Sequence, residues 1–190
     1  DDNNREGPDH KFAMNPKTWK DMVIRANEVY YALKKHNLSD NAIAGIMGNI
    51  AYEAGFDFDY KKKQIGGGSG EGLFQFSNDD KGEGHKKEYQ NYLKNNNLND
   101  SVESQVNYVM DNIYKGTGYD IGSGNRDTIK NIFKTGKAYE SAGIFHDLFE
   151  RPKTNLSRFD RQSYANTIRK KFSKGDLVKA IIKHSLTQIP

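Results

Sequence analysis

The stretch SDNAIAGIMGNIAYEAGF, residues 39–56, decides how the chain is read. Ser39 or Asp40 is a good helix cap, because its side-chain oxygen can accept from an unpaired N–H of the first turn. Ile43, Ile46, Met47 and Ile50 then stand at offsets 0, 3, 4 and 7, which is one face of a 3.6-residue period. Glu53 follows three residues after Ile50 on that same face, and Gly55 is a usual C-terminal stop. The spacing predicts a helix with a carboxyl at the end of its apolar stripe. The negative end of the helix dipole and partial burial both disfavour the charged form, so both would raise the pKa of Glu53. A carboxyl held protonated near neutral pH is what a general acid needs. Periodicity leaves a plainer alternative open: a Glu paired with Arg or Lys in the core, or a fraying helix end.

Helical patterns continue on both sides of this stretch. Residues 1–14 are polar and aperiodic and read as a leader or linker. Asn15 then caps and Pro16 opens a helix that carries Trp19, Val23, Ala26, Tyr30 and Leu33 at helical spacing up to His36. Downstream, helices are expected over 84–95, 101–114, 127–135, 138–149, 158–172 and 175–185, with Lys115–Gly124 as a glycine-rich loop. The clearest has Val102, Val106, Val109, Met110 and Ile113 behind a Ser101 cap. Residues 56–78 differ. Six glycines lie from Gly55 to Gly72, Phe56, Phe58 and Tyr60 alternate, and Leu73-Phe74-Gln75-Phe76 alternates weakly. They read as a short hairpin or extended loop, the only expected β-structure. The fold class is therefore mainly α (α+β), with one domain over 15–172 and a basic helix over 173–190.

Composition bounds the function. A length of 190 residues suits one domain, and 28% charged residues with 22 aromatics describe a folded, very polar globule. No apolar run approaches the roughly 20 residues of a membrane span. The absence of cysteine removes disulfides, thiol nucleophiles and Cys-ligated zinc. The five histidines form no HExxH, there is no GxSxG, and no G-K-[ST] follows the glycines at 66–70. No metal or organic cofactor is implied. Charge is uneven: residues 1–60 are net −3 and residues 151–190 net +8. A basic end could meet an anionic polymer, although a solvated helical face explains it equally well. The basic residues are not interleaved with an aromatic platform, which argues against a nucleic-acid partner.

Three short motifs carry more. They are Gly48-Asn49-Ile50-Ala51-Tyr52-Glu53-Ala54-Gly55-Phe56, then Gly72-Leu73-Phe74-Gln75-Phe76-Ser77, then Phe149-Glu150-Arg151-Pro152 with Arg161 and Ala165 beyond. In this order and spacing they resemble the phage tail lysozyme family, virion-borne domains that cleave peptidoglycan, over about residues 15–172. The first two also resemble goose-type lysozymes and lytic transglycosylases. The resemblance implies a lysozyme-like helical lobe, a small β-hairpin subdomain and a cleft between them. It implies that Glu53 is the catalytic acid and protonates the glycosidic oxygen between N-acetylmuramic acid and N-acetylglucosamine. Gln75 would line the cleft with an amide that both donates and accepts, and Gly72 would let backbone approach the sugar. Phe76 stands where the family has Trp and would keep an aromatic face; Ala54 replaces Ser.

A glycosidase usually needs a second carboxylate. Asp57, Asp59, Glu71, Asp79 and Asp80 are candidates. Glu71 is preferred because it would lie on the hairpin facing the cleft, with an exposed turn residue as the alternative. Without a second acid, the neighbouring acetamido group would attack and give a 1,6-anhydro product, as in lytic transglycosylases. Tyr52, Ser77 and Glu150 complete the expected substrate contacts. Glu150 could hold substrate or orient a catalytic side chain, or it could be an ion-pair anchor at a helix end stopped by Pro152. The expected partners are peptidoglycan glycan strands and other phage tail proteins. The expected place is the tail of the virion, acting at the cell wall to aid genome entry. The rival reading is a non-catalytic glycan-binding or structural tail protein. Its signature would be loss of the acid, yet Glu53 is present.

Overall fold

The helix read from residues 39–56 runs from Asp40 to Glu53, and it is buried all round rather than along one stripe. Ala42, Ala44, Gly45, Gly48, Asn49 and Ala51 are enclosed along with the four large apolar residues. Small side chains on the remaining faces explain this, because they let neighbouring helices close in from several directions. A Cβ on Gly48 would lie 2.6 Å from the Arg161 carbonyl, and one on Gly45 would lie 2.5 Å from the Ser141 Cβ. The cap is Ser39, whose Oγ accepts from Ala42 N at 3.1 Å and donates to the Phe133 carbonyl at 3.2 Å. Gly55 leaves the helix at φ +90°.

The computed structural model describes residues 16–64 and 67–173. The expected leader over 1–14, the expected helix over 175–185 and the side chain of Trp19 lie outside the described residues. In chain order the helices are α1 (Pro16–Lys34), α2 (Asp40–Glu53), α3 (His85–Asn95), α4 (Val102–Lys115), α5 (Ser123–Thr135), α6 (Ala138–Phe145) and α7 (Arg158–Ser173). Helix α2 packs most extensively against α7 and α6, and α1 lies against α4. An aromatic seam of Phe74, Phe133, Phe145 and Phe149 joins the loops to this core. Full burial of each such side chain stabilises by roughly 1.5–3 kcal/mol.

Two expectations are corrected at helix ends. Helix α5 begins at Ser123, four residues before the expected start, because Arg126 N already reaches the Gly122 carbonyl at 3.0 Å. The helix expected over 138–149 ends at Phe145 and widens into a π-helical turn, His146–Glu150, closed by Arg151 N donating to the His146 carbonyl at 2.9 Å. Pro152 disfavours a right-handed helical residue before it. Arg151 takes the left-handed region instead, at φ +46°.

The β-hairpin subdomain is not found. Among the described residues, segment 56–84 holds only three isolated antiparallel bridges: Lys63–Glu71, Glu71–Phe76 and Asn78–Gly84. Phe58, Gly72 and Gln75 have φ of +49°, +83° and +49°, which interrupt any run of extended backbone. The segment is instead pinned by side chains. The buried Gln105 of α4 accepts from Leu73 N at 2.9 Å and donates to the Tyr60 carbonyl at 2.9 Å and to Asp100 at 3.0 Å. Gly72 is needed there, since a Cβ would stand 2.7 Å from the Gln105 Oε1.

Candidate active site

The end of α2 opens onto a cleft of about 1090 Å³ between the helices and the 56–84 loop. Helix α2 contributes Tyr52 and Glu53, the loop contributes Gln75, Ser77 and Asp79, and the π-helical turn contributes Glu150. Arg161 of α7 stands beneath. It is 1% exposed, and all three of its nitrogens are engaged. Nε donates to Ser157 Oγ at 3.1 Å, Nη1 to Asn49 Oδ1 at 2.9 Å and Nη2 to Glu53 Oε1 at 2.5 Å. The last contact joins a guanidinium and a carboxylate, and it realises the ion-pair alternative for Glu53. The guanidinium also lies 4.5 Å from the Tyr52 ring centroid, a cation–π contact that holds the half-exposed ring at the rim.

Asn49 locks this arrangement from the other side. Its Nδ2 donates to the carbonyls of Gly45 and Ala142, both at 3.0 Å, so its Oδ1 is left facing Arg161. Such a buried arginine is held only because each nitrogen meets an acceptor; removing a partner would leave charge uncompensated.

Glu150 is the second carboxyl of the site. The residue is half-buried, but its Oε1 is fully enclosed and has no hydrogen-bond partner. Burial, and after it the Glu53 carboxylate, push the Glu150 carboxyl well above the usual carboxylate range, against the pull of Arg161. His85, at the start of α3, lines the same cleft. It stacks on Phe149 at 4.5 Å and contacts Tyr108 OH through Nδ1 at 2.8 Å. Burial, helped by the positive charge of Arg151, lowers its pKa to about 4, so the ring is uncharged at neutral pH.

The remaining expected residues divide. Tyr52, Gln75 and Ser77 reach the cleft. Gln75, however, donates its Nε2 to the carbonyls of Gly72 at 2.8 Å and Lys62 at 3.2 Å, so it braces the loop as it lines the cleft. Phe76 does not reach the cleft. It is 4% exposed, among Phe74, Tyr89 and Tyr108, where the aromatic core takes the face expected for a sugar. Glu71 lines a separate cavity of about 410 Å³ on the far side of the loop. Lys63, 2.7 Å away, and Lys86, 3.3 Å away, hold its carboxyl there, and Lys63 above all lowers its pKa. Asp57 pairs with Lys62 at 2.9 Å, and Asp79 accepts from the backbone of Lys81 and Glu83 within its own turn.

The sequence marks Arg161 only as part of a motif and gives His85 no role in the cleft. A signal for Arg161 exists: it stands three, four and seven residues before Tyr164, Ala165 and Ile168, on the buried face of α7. An arginine in an apolar stripe needs an internal partner. Among the described residues no helix is long and apolar enough to cross a membrane.

Fold and site define a helical domain whose cleft carries a carboxyl pair gathered around a buried arginine. The family model of the phage tail lysozymes matches residues 25–172. The chain belongs to that family, whose members are lysozyme-like, act on peptidoglycan and are associated with phage tails. No curated protein matches the chain.

Proposed function

We propose that this protein cleaves the glycan strands of peptidoglycan between N-acetylmuramic acid and N-acetylglucosamine, with Glu53 as the general acid. The observation that carries this reading is Glu53 at the end of α2, open to the cleft and backed by Arg161. A protonated Glu53 gives its proton to the glycosidic oxygen as the bond to the sugar breaks, and an oxocarbenium-like centre develops at the anomeric carbon. Tyr52 at the rim and Gln75 and Ser77 on the loop are the proposed substrate contacts. Phe76 supports the loop from below. In the virion the domain acts at the cell wall, beside other tail proteins, and opens a path for the genome.

A second product is favoured by one observation. Glu71, the acid expected across the cleft, faces Lys63 and Lys86 in another cavity. If no other carboxylate assists, the acetamido oxygen attacks and leaves a 1,6-anhydro end. A digest of purified peptidoglycan by wild type and Glu53→Gln, read by mass spectrometry, tests both. Products with reducing ends from wild type, and a loss of about 10³-fold or more in Glu53→Gln, are expected for the hydrolase. Products lighter by one water identify the transglycosylase. A folded wild type that releases nothing from several wall types would leave a glycan-binding or structural role.

A further inference from the structure

Glu53 and Glu150 line one cleft, and both lie within electrostatic reach of Arg161. Arg161 gives its short Nη2 contact to Glu53 and spends Nε and Nη1 on Ser157 and Asn49. Glu150 Oε1 is enclosed without a donor. An enclosed carboxylate oxygen with no hydrogen bond is far more costly than the same oxygen of a neutral carboxyl. The charged neighbours do not supply a second cation on the spot: Lys62 and Lys63 line the same cleft but pair with Asp57 at 2.9 Å and Glu71 at 2.7 Å. Helix α2 presents Glu53 and α7 presents Arg161. The chain after the π-helical turn presents Arg151 and Lys153 at the exposed edge of the cleft, and α3 presents the uncharged His85. The 77–84 loop adds only Asp79 and Glu83, and Asp147 of the turn itself is held by Arg158 at 3.1 Å.

The backbone points the same way. Glu150 ends a π-helical turn and precedes a left-handed Arg151. Both are uncommon for such residues, and both recur where a side chain is aimed at a functional site.

We propose that Glu53 and Glu150 form a carboxyl pair that holds one proton, kept on Glu150 at rest and passed to Glu53 when Arg161 changes partner. This rests on the glycosidase reading for its use but not for its existence. The step balances. Glu150–COOH beside Glu53–COO⁻·Arg161⁺ becomes Glu150–COO⁻·Arg161⁺ beside Glu53–COOH. One proton moves from one carboxyl to the other, directly or through one water, and the net charge of the cluster stays the same. Glu53 is then the acid that the leaving oxygen requires. Glu150 acts through it as a positioning residue for the proton.

The test compares wild type with Glu150→Gln, Glu150→Asp and Glu53→Gln. Peptidoglycan cleavage is followed against pH. With the pair intact, the alkaline limb of kcat is the loss of the shared proton. In Glu150→Gln that limb should move to lower pH by about one unit, and kcat should fall by about 10²-fold with KM little changed. Glu150→Asp should recover part of both. A limb that stays in place, or a rise in KM alone, would overturn the proposal in favour of substrate contact or packing. Independently of substrate, the infrared difference spectrum of wild type against Glu150→Gln at neutral pH should contain a protonated-carboxyl band. The band should also vanish in Glu53→Gln, where Arg161 is free to pair with Glu150. A band that is missing in wild type, or that persists in Glu53→Gln, overturns the pair. A band that behaves as expected in a protein that cleaves no peptidoglycan would uphold the pair and remove the glycosidase reading.

Discussion

On one side of the cleft, α2 and α7 meet so closely that Gly48 has no room for a Cβ, and a buried Arg161 ties Asn49, Glu53 and Ser157 together. On the other side, segment 56–84 carries three single bridges, a few left-handed residues and the reach of one glutamine from α4. The helical wall has its backbone hydrogen bonds settled within each helix, so its side chains are free to build chemistry. Among its described residues the loop wall has no ladder. Its side chains must first satisfy backbone, as Gln75 and Gln105 do, and only the remainder can face a substrate. The difference teaches where precision resides: Glu53, the proposed acid, is on the wall that cannot shift without breaking the core, and the proposed contacts of the loop are on the other.

The comparison can be broken first at Arg161. Arg161→Met is expected to destabilise by about 3–5 kcal/mol, because Glu53 and Asn49 lose their donor in a buried setting. Urea denaturation followed by circular dichroism should shift as one transition. If stability changes by less than about 1 kcal/mol, on the scale of an exposed ion pair, Arg161 is not the tie described here.

A smaller and more local effect is expected at Gln105. Gln105→Ala removes the acceptor for Leu73 N and the donor to Tyr60, at about 1–3 kcal/mol. Hydrogen exchange should quicken over the 60–76 segment while α2 stays protected. Equal loosening of both walls would contradict the division.

The smallest effect belongs to Glu71. Glu71→Gln should change stability by less than about 0.5 kcal/mol, since its lysine pairs are largely solvated, and cleavage of peptidoglycan should be unaltered. A large drop in turnover would bring Glu71 back to the cleft.

The helical wall was far more legible in the sequence than the loop wall, for a physical reason. Cap and period are local signals, and Ser39, the isoleucine spacing and Gly55 mark α2 without reference to anything distant. Of the two expectations for this segment the hairpin fails and the extended loop holds: alternation at Phe56, Phe58 and Tyr60 mimics a strand, yet the backbone turns left-handed at Phe58. Phe76 was misread because an aromatic residue after a glutamine serves a sugar or a core equally well. Only the arrival of Tyr89 and Tyr108 from α3 and α4 decides. The π-helical turn has no composition of its own. It follows from Phe149 packing on Phe145 and His85, with Pro152 behind it.

The tie between Glu53 and Arg161 spans 108 residues of chain. A ribosome making this protein therefore releases Glu53 long before Arg161. Until α7 emerges and docks, Asn49 and Glu53 sit on a helix whose Gly48 faces nothing. The nascent chain has a carboxyl but not yet the arginine that holds it, so the cluster assembles only once α7 has been made, and nearly all at once.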